Sequence, residues 1–88
     1  MHRKVELGDR FVESWGGLDR LPETIEAFAR LMLRAKRYPE SAPTEPGSDI
    51  RIMRTRAPGS GRMMHLFYGI DEETLALIWV EYFDELED

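Results

Sequence analysis

The sequence predicts a small α+β domain, in which an N-terminal helical hairpin packs on an antiparallel sheet formed mostly by the C-terminal half. Three observations lead to this fold class. Apolar residues recur at helical spacing in the first half, the second half changes to the two-residue period of strands, and a proline-rich loop at 39–49 lies between them. A chain of 88 residues can hold one modest core, so residues 1–88 are predicted to form one domain.

The amino-acid composition is that of a folded intracellular protein. Hydrophobic residues make up 42% of the chain and charged residues 33%, which disfavours disorder. Cysteine is absent, and a secreted domain of this size would usually need disulfide bonds, so a cytoplasmic location is expected. No apolar run approaches the ~18 residues of a membrane span, so no association with a membrane is expected.

Charge is distributed unevenly along the chain. The net charge is −5 at pH 7, and every charged residue after Ile70 is acidic. Arginines are concentrated in one short segment, residues 51–62. Because affinity for phosphate comes from clustered Lys and Arg, generic nucleic-acid binding is disfavoured outside that segment. The acidic C-terminal tail is interpreted as a solvated end.

The first half contains a short strand followed by two helices. Polar and apolar residues alternate at 4–7, and Asp9 is a candidate N-cap for a first helix that ends near Gly16. Pro22 is suited to the first turn of a second helix, which Pro39 stops. The stripe of this helix that is predicted to face the sheet comprises Leu21, Ile25, Phe28, Met32 and Ala35.

The second half contains three strands, at 50–56, 63–70 and 75–83, whose short connections predict an antiparallel meander. The apolar alternation slips between Ile52 and Met53, which favours a β-bulge there. Alternation along the last strand places Leu75, Leu77 and Trp79 on one face, and Ala76, Ile78 and Val80 on the other.

Apolar residues occur on both faces of the last two strands, although two helices can cover only one face of a sheet. An apolar strip is therefore predicted on the open face, comprising Met63, Phe67, Leu77 and Trp79. A partner protein, a second copy of the chain or the chain's own C-terminal tail would cover this strip. The alternative is that central strands tolerate hydrophobic residues without any partner.

Standard catalytic signatures are absent from the sequence, and neither a cofactor nor a metal is expected. One set of residues could still act on a phosphate, since arginines stabilise negative charge while a histidine or tyrosine serves as acid or base. The competing interpretation is that arginines on edge strands only keep the protein soluble. The set comprises Arg51, Arg54, Arg56, Arg62, His65 and Tyr82.

The order of these elements resembles the RelE/ParE superfamily of toxins from type II toxin–antitoxin systems. Residues 4–28 resemble its opening strand and helix with an LxxLP step, and IRIMR at 50–54 resembles its second strand. HLFYGIDEETLALIWV at 65–80 resembles its final hairpin, with an acidic turn and a long apolar last strand. The similarity spans residues 4–83 and implies a single two-layer β-α-α-β-β-β domain.

The resemblance implies a cognate antitoxin as partner and one of two activities, namely ribosome-dependent cleavage of messenger RNA or inhibition of DNA gyrase. Arg51 and Arg54 match basic positions of the family's second strand. His65 stands where the family usually has arginine, and Tyr82 falls where the last strand often ends in His or Lys. These four residues are the catalytic candidates. The candidates for binding are Arg56, Arg62, Met63, Phe67, Leu77 and Trp79.

The C-terminal end departs from the commonest pattern of the family. Many members have Lys and Arg after the last strand, whereas this chain has FDELED at 83–88. Residues 80–85 resemble a second branch, which includes ParE-like segments attached to helicases. That similarity implies an accessory role, so the alternative to a toxin is a non-catalytic protein-interaction module of the same fold.

Overall fold

A computed structural model describes residues 3–84 of the chain. It is an α+β domain with two helices and a four-stranded mixed sheet, which confirms the α+β part of the prediction. The interpretation of residues 85–88 as a solvated end lies outside the described residues. The elements in chain order are β1 (Lys4–Leu7), α1 (Asp9–Gly16), α2 (Pro22–Arg37), a 3-10 turn (Pro39–Ser41), β2 (Arg51–Arg56), β3 (Arg62–Ile70) and β4 (Thr74–Asp84).

The strands lie in the order β1-β4-β3-β2 across the sheet. The last three form an antiparallel meander, but β1 runs parallel to β4. The expectation of an antiparallel sheet is therefore wrong for the first strand. Parallel pairing needs a long crossover, which the helices and the first two meander strands provide. Neither helix in residues 3–84 combines the length and the apolar character that crossing a membrane requires.

The buried side of α2 is rotated away from the predicted stripe. Phe28 and Met32 are only partly buried against the core. Ile25 is 44% exposed, so its predicted burial against the sheet is wrong, and Leu21 at the start of the stripe is 44% exposed as well. Most of the buried side chains of α2 are small, which allows the helix axis to approach the sheet closely. The fully buried residues of α2 are Thr24, Ala27, Leu31 and Ala35.

The start of α1 also differs from the expectation, because Gly8 occupies the N-cap position that was predicted for Asp9. The Gly8 N–H donates to the carbonyl of Leu77 over 2.9 Å. A Cβ atom at Gly8 would lie 3.0 Å from that carbonyl oxygen. Only glycine therefore allows the backbone to approach β4 this closely, and Asp9 becomes the first helical residue instead.

A β-bulge in β4 determines which of its side chains face the helices. Phe67 pairs with Trp79 and Tyr68 pairs with Leu77, so Ile78 has no partner on β3. The extra residue reverses the alternation, because side chains switch faces when one residue is inserted. The prediction that Trp79 shares a face with Leu77 is therefore wrong. The core contains instead Leu75, Leu77 and Val80.

The bulge predicted for β2 does not occur. The strand pairs with β3 without interruption from Arg51 to Arg56. Met53 is buried, and its neighbour Ile52 lies on the opposite face of the sheet. The two adjacent apolar residues therefore lie on opposite faces of a regular strand, with Met53 in the core and Ile52 on the open face.

Candidate functional site

The sheet has one face covered by the helices and one face left open, and alternation assigns the candidate residues to them. Buried residues of the three meander strands, such as Leu66 on β3, mark the covered face. Their immediate neighbours along each strand point to the open face. The polar residues placed on the open face by this register are Arg54, Arg56, His65 and Glu81.

Three polar residues lie side by side across β2, β3 and β4. They are Arg54, His65 and Glu81, here called the polar row. Arg54 pairs with His65, and His65 pairs with Glu81. Directly opposed residues of this kind have Cβ atoms about 4.5–5.5 Å apart. The row therefore places one imidazole between one guanidinium and one carboxylate. Glu81 was missed by the sequence reasoning, because its position opposite His65 depends on the bulge.

The environment of His65 favours its neutral form. Partial burial lowers the pKa of His65 below its ordinary value of 6.5, the charge of Arg54 lowers it further, and Glu81 acts in the opposite direction. Its ring meets that of Phe83 edge to face, with 4.9 Å between the ring centroids. A neutral imidazole at pH 7 can accept a proton, which is the form that a general base requires.

Three apolar residues lie side by side on the same three strands, two residues along each strand from the polar row. They are Ile52, Phe67 and Trp79, here called the apolar row. Trp79 is 36% exposed, and the other two side chains are partly buried. Met63 lies on the same face. Leu77 does not, since it is 1% exposed and belongs to the core. The prediction that Leu77 forms part of an open-face strip is therefore wrong.

Arg62 and Tyr82 lie on the covered face, away from His65. The guanidinium of Arg62 donates to Asp19 Oδ2 over 2.8 Å and lies 4.9 Å from the centroid of the Tyr82 ring. Tyr82 packs against the hydrophobic core, and its buried hydroxyl has no hydrogen-bond partner within residues 3–84. These two side chains fasten the start of β3 and the end of β4 to the loop between the helices.

Arg51 also faces the helices and lies at the other end of the meander, opposite Tyr68. Its guanidinium donates to the carbonyls of Ala42 over 2.7 Å and Glu40 over 3.2 Å. Nearby, the buried Tyr68 hydroxyl donates to the carbonyl of Pro39 over 2.6 Å. These contacts hold the loop after α2 against the sheet. Arg51, Arg62 and Tyr82 therefore do not lie beside Arg54 and His65, and the structure does not bring the whole candidate set together.

Asp19 anchors the loop between the helices and gives the fold a dependence on pH. Its carboxylate accepts hydrogen bonds from the Thr24 hydroxyl, the Arg62 guanidinium and the Leu21 N–H, which lower the pKa of Asp19 from 3.8 to about 2. A lowered pKa means that the charged form stabilises the fold above pH 3.8. That contribution is lost as the pH falls through about 2.

We expect Asp19→Asn to be less stable than the wild type at pH 6, with the difference shrinking as the pH falls toward 2. Thermal unfolding midpoints measured across this range would show the two curves converge. Asp49→Asn is the matched control, because Asp49 is exposed on a loop. It should follow the wild type throughout. A constant difference between Asp19→Asn and the wild type would contradict the assigned role of the carboxylate.

Within residues 3–84, no three acidic, histidine or cysteine side chains are grouped so that they could hold a metal ion. No model of a protein family matches the chain. A comparison with curated proteins likewise found no significant match.

Proposed function

We propose that this chain is the toxin component of a toxin–antitoxin pair and that it cleaves RNA at the polar row. The observation that carries the proposal is the alignment of Arg54, His65 and Glu81 across three adjacent strands on the open face. An RNA strand can be cleaved by attack of its own 2′-hydroxyl group on the neighbouring phosphate. This reaction requires a proton acceptor, a proton donor and a group that stabilises the charge on the phosphate. The polar row supplies groups for all three, and the RelE/ParE resemblance supports the same class of reaction.

In this mechanism His65 accepts the proton of the 2′-hydroxyl group. The 2′-oxygen attacks the adjacent phosphorus, and the bond between that phosphorus and O5′ breaks. The imidazolium then gives that proton to O5′. The products are one RNA end with a 2′,3′-cyclic phosphate and one with a 5′-hydroxyl. Arg54 stabilises the charge that develops on the phosphate oxygens, and Glu81 stabilises the transient imidazolium. The lowered pKa of His65 keeps its imidazole neutral at pH 7, which is the form that the first step requires.

The acidic net charge of the chain limits how RNA can approach. Arg54 and Arg56 lie at the β2 side of the open face, whereas Glu81 lies at its β4 side. An exposed charge at contact with a phosphate changes the energy by roughly 1 kcal/mol in water. An RNA backbone is therefore favoured along β2 and disfavoured along β4. The charge on the open face thus changes from positive at β2 to negative at β4. RNA would approach from the β2 side although the net charge of the chain is −5.

A second candidate function, a non-catalytic protein-interaction module, is favoured by a different observation. The apolar row continues without interruption from Ile52 through Phe67 to Trp79 on an open face. Apolar surfaces of this kind are used for binding other proteins. On this account the open face binds an antitoxin, gyrase or a second copy of the chain, and the polar row has no chemical task.

Expression of the chain in bacteria distinguishes the two candidates. Growth arrest by the wild type should be lost in Arg54→Ala and in His65→Gln. Arg37→Ala is the control, because Arg37 is an exposed arginine at the end of α2. It should arrest growth as the wild type does. Arrest that persists in both open-face variants would refute cleavage at the polar row and support the interaction module.

A further inference from the structure

We infer that the apolar row is a stacking platform for an unpaired base of single-stranded RNA, next to the phosphate that the polar row acts on. The inference rests on the proposed function and specifies its substrate class. It starts from the position of Trp79, which the β4 bulge turns out of the core and places opposite Phe67 on the open face.

The spacing of the two rows suits a nucleotide. They are separated by two residues along each strand, which corresponds to about 6.6–6.8 Å. One nucleotide can bridge this gap with its base on the apolar row and its phosphate at the polar row. Phe67 and His65 lie on β3, at the centre of the two rows. A base over Phe67 and Trp79 would therefore hold the neighbouring phosphate close to the imidazole of His65.

The chemistry of the apolar row favours a base over an aliphatic segment of a protein. Every base has a flat π-face, and stacking on aromatic side chains binds single strands without regard to their sequence. The open face of a four-stranded sheet with exposed aromatic residues is a common platform for single-stranded RNA. Here the sheet is four-stranded, and Trp79 is 36% exposed.

The charges beside the row support the same occupant. Arg54 and Arg56 follow Ile52 on the open face of β2, and Glu81 follows Trp79 on β4. A phosphate backbone would lie along the arginines, and its base would extend inward over Phe67 to the indole. An uncharged apolar peptide would gain nothing from this gradient across the sheet.

Trp79→Leu separates stacking from simple apolar contact, because leucine keeps a hydrophobic surface but has no π-face. The probe is a short, end-labelled single-stranded RNA carrying 2′-methoxy groups, which cannot be cleaved. Fluorescence anisotropy should show the dissociation constant rise about 5- to 100-fold in Trp79→Leu. Trp79→Phe, which retains a ring, should stay within a few-fold of the wild type.

Tyr38→Leu is the matched control, because Tyr38 is an aromatic residue that is 63% exposed after α2, away from the open face. It should bind the single strand as the wild type does. A duplex of the same sequence should bind more weakly, since its bases are paired and stacked. Equal affinity of Trp79→Leu and the wild type for the single strand would overturn the inference and leave the apolar row as a contact for a protein.

The two proposals can fail separately. If the wild type binds the single strand through Trp79 but leaves unmodified RNA intact, cleavage is refuted and the platform is supported. If the wild type cleaves RNA while Trp79→Leu binds and cleaves with unchanged constants, the platform is overturned and cleavage is retained.

Discussion

Leu77→Gln is expected to lower the free energy of unfolding by about 3–5 kcal/mol. Leu77 is 1% exposed and packs in the core, so the substitution removes apolar contacts and buries an amide in an apolar site. The same change at Trp79 should cost under about 2 kcal/mol, because that side chain lies on the open face and its amide replacement would remain in water. Urea denaturation followed by circular dichroism would measure both values.

The comparison tests the β4 bulge, since strict alternation would give the two positions the same environment. Equal losses at Leu77 and Trp79 would contradict the bulge at Ile78. A larger loss at Trp79 than at Leu77 would place the indole in the core and remove the apolar row from the open face. The assignment of Glu81 to the polar row would fail with it, because Glu81 follows the same bulge.

The largest effect on activity is expected at His65. His65→Gln removes the group that carries the proton, and single-turnover cleavage of RNA should fall by about 10²- to 10⁴-fold. Glu81→Gln should lower the rate less, because it removes only the stabilisation of the imidazolium. In the wild type the rate should rise with pH through the pKa of His65, which lies below 6.5. His65→Gln should lose this rise, whereas Glu81→Gln should keep it at a lower pH, because the charge of Glu81 raises the pKa of His65.

Tyr82→Phe is the control for this experiment. Tyr82 was a catalytic candidate, but its ring packs against the core on the covered face. The variant should therefore cleave RNA at the rate of the wild type. A large loss in Tyr82→Phe together with an unaffected His65→Gln would place the chemistry on the covered face and refute the mechanism.

The sequence predicted the parts of the fold that depend on local signals. Pro22 begins α2 and Pro39 follows its end, and short turns between the last three strands produce the meander. The buried side of α2 was misjudged because alanine contributes little to an apolar stripe: Ala35 was predicted at the contact and lies there, but Ala27, which also lies there, was not predicted. The parallel pairing of β1 could not be predicted, since its partner is Thr74–Asp84 and lies far away in the chain.

The candidate site was predicted only in part, because the register between the strands decides which side chains share a face and lie opposite one another. Arg54 and His65 were identified and are neighbours on the open face. Arg51 and Arg62 have the same side-chain chemistry, but their strand positions turn them toward the helices, where backbone carbonyls and Asp19 bind them. Glu81 could not be placed opposite His65 without the bulge. A residue type indicates what a side chain can do, while pairing between strands decides which neighbours it has.

End-group analysis of RNA incubated with the purified protein, with and without ribosomes, tests cleavage at the polar row most directly. The expected products carry 2′,3′-cyclic phosphate and 5′-hydroxyl ends in the wild type and in Tyr82→Phe, and they are absent in His65→Gln. RNA that stays intact with the wild type under both conditions, or the same products from His65→Gln, would contradict the proposed function.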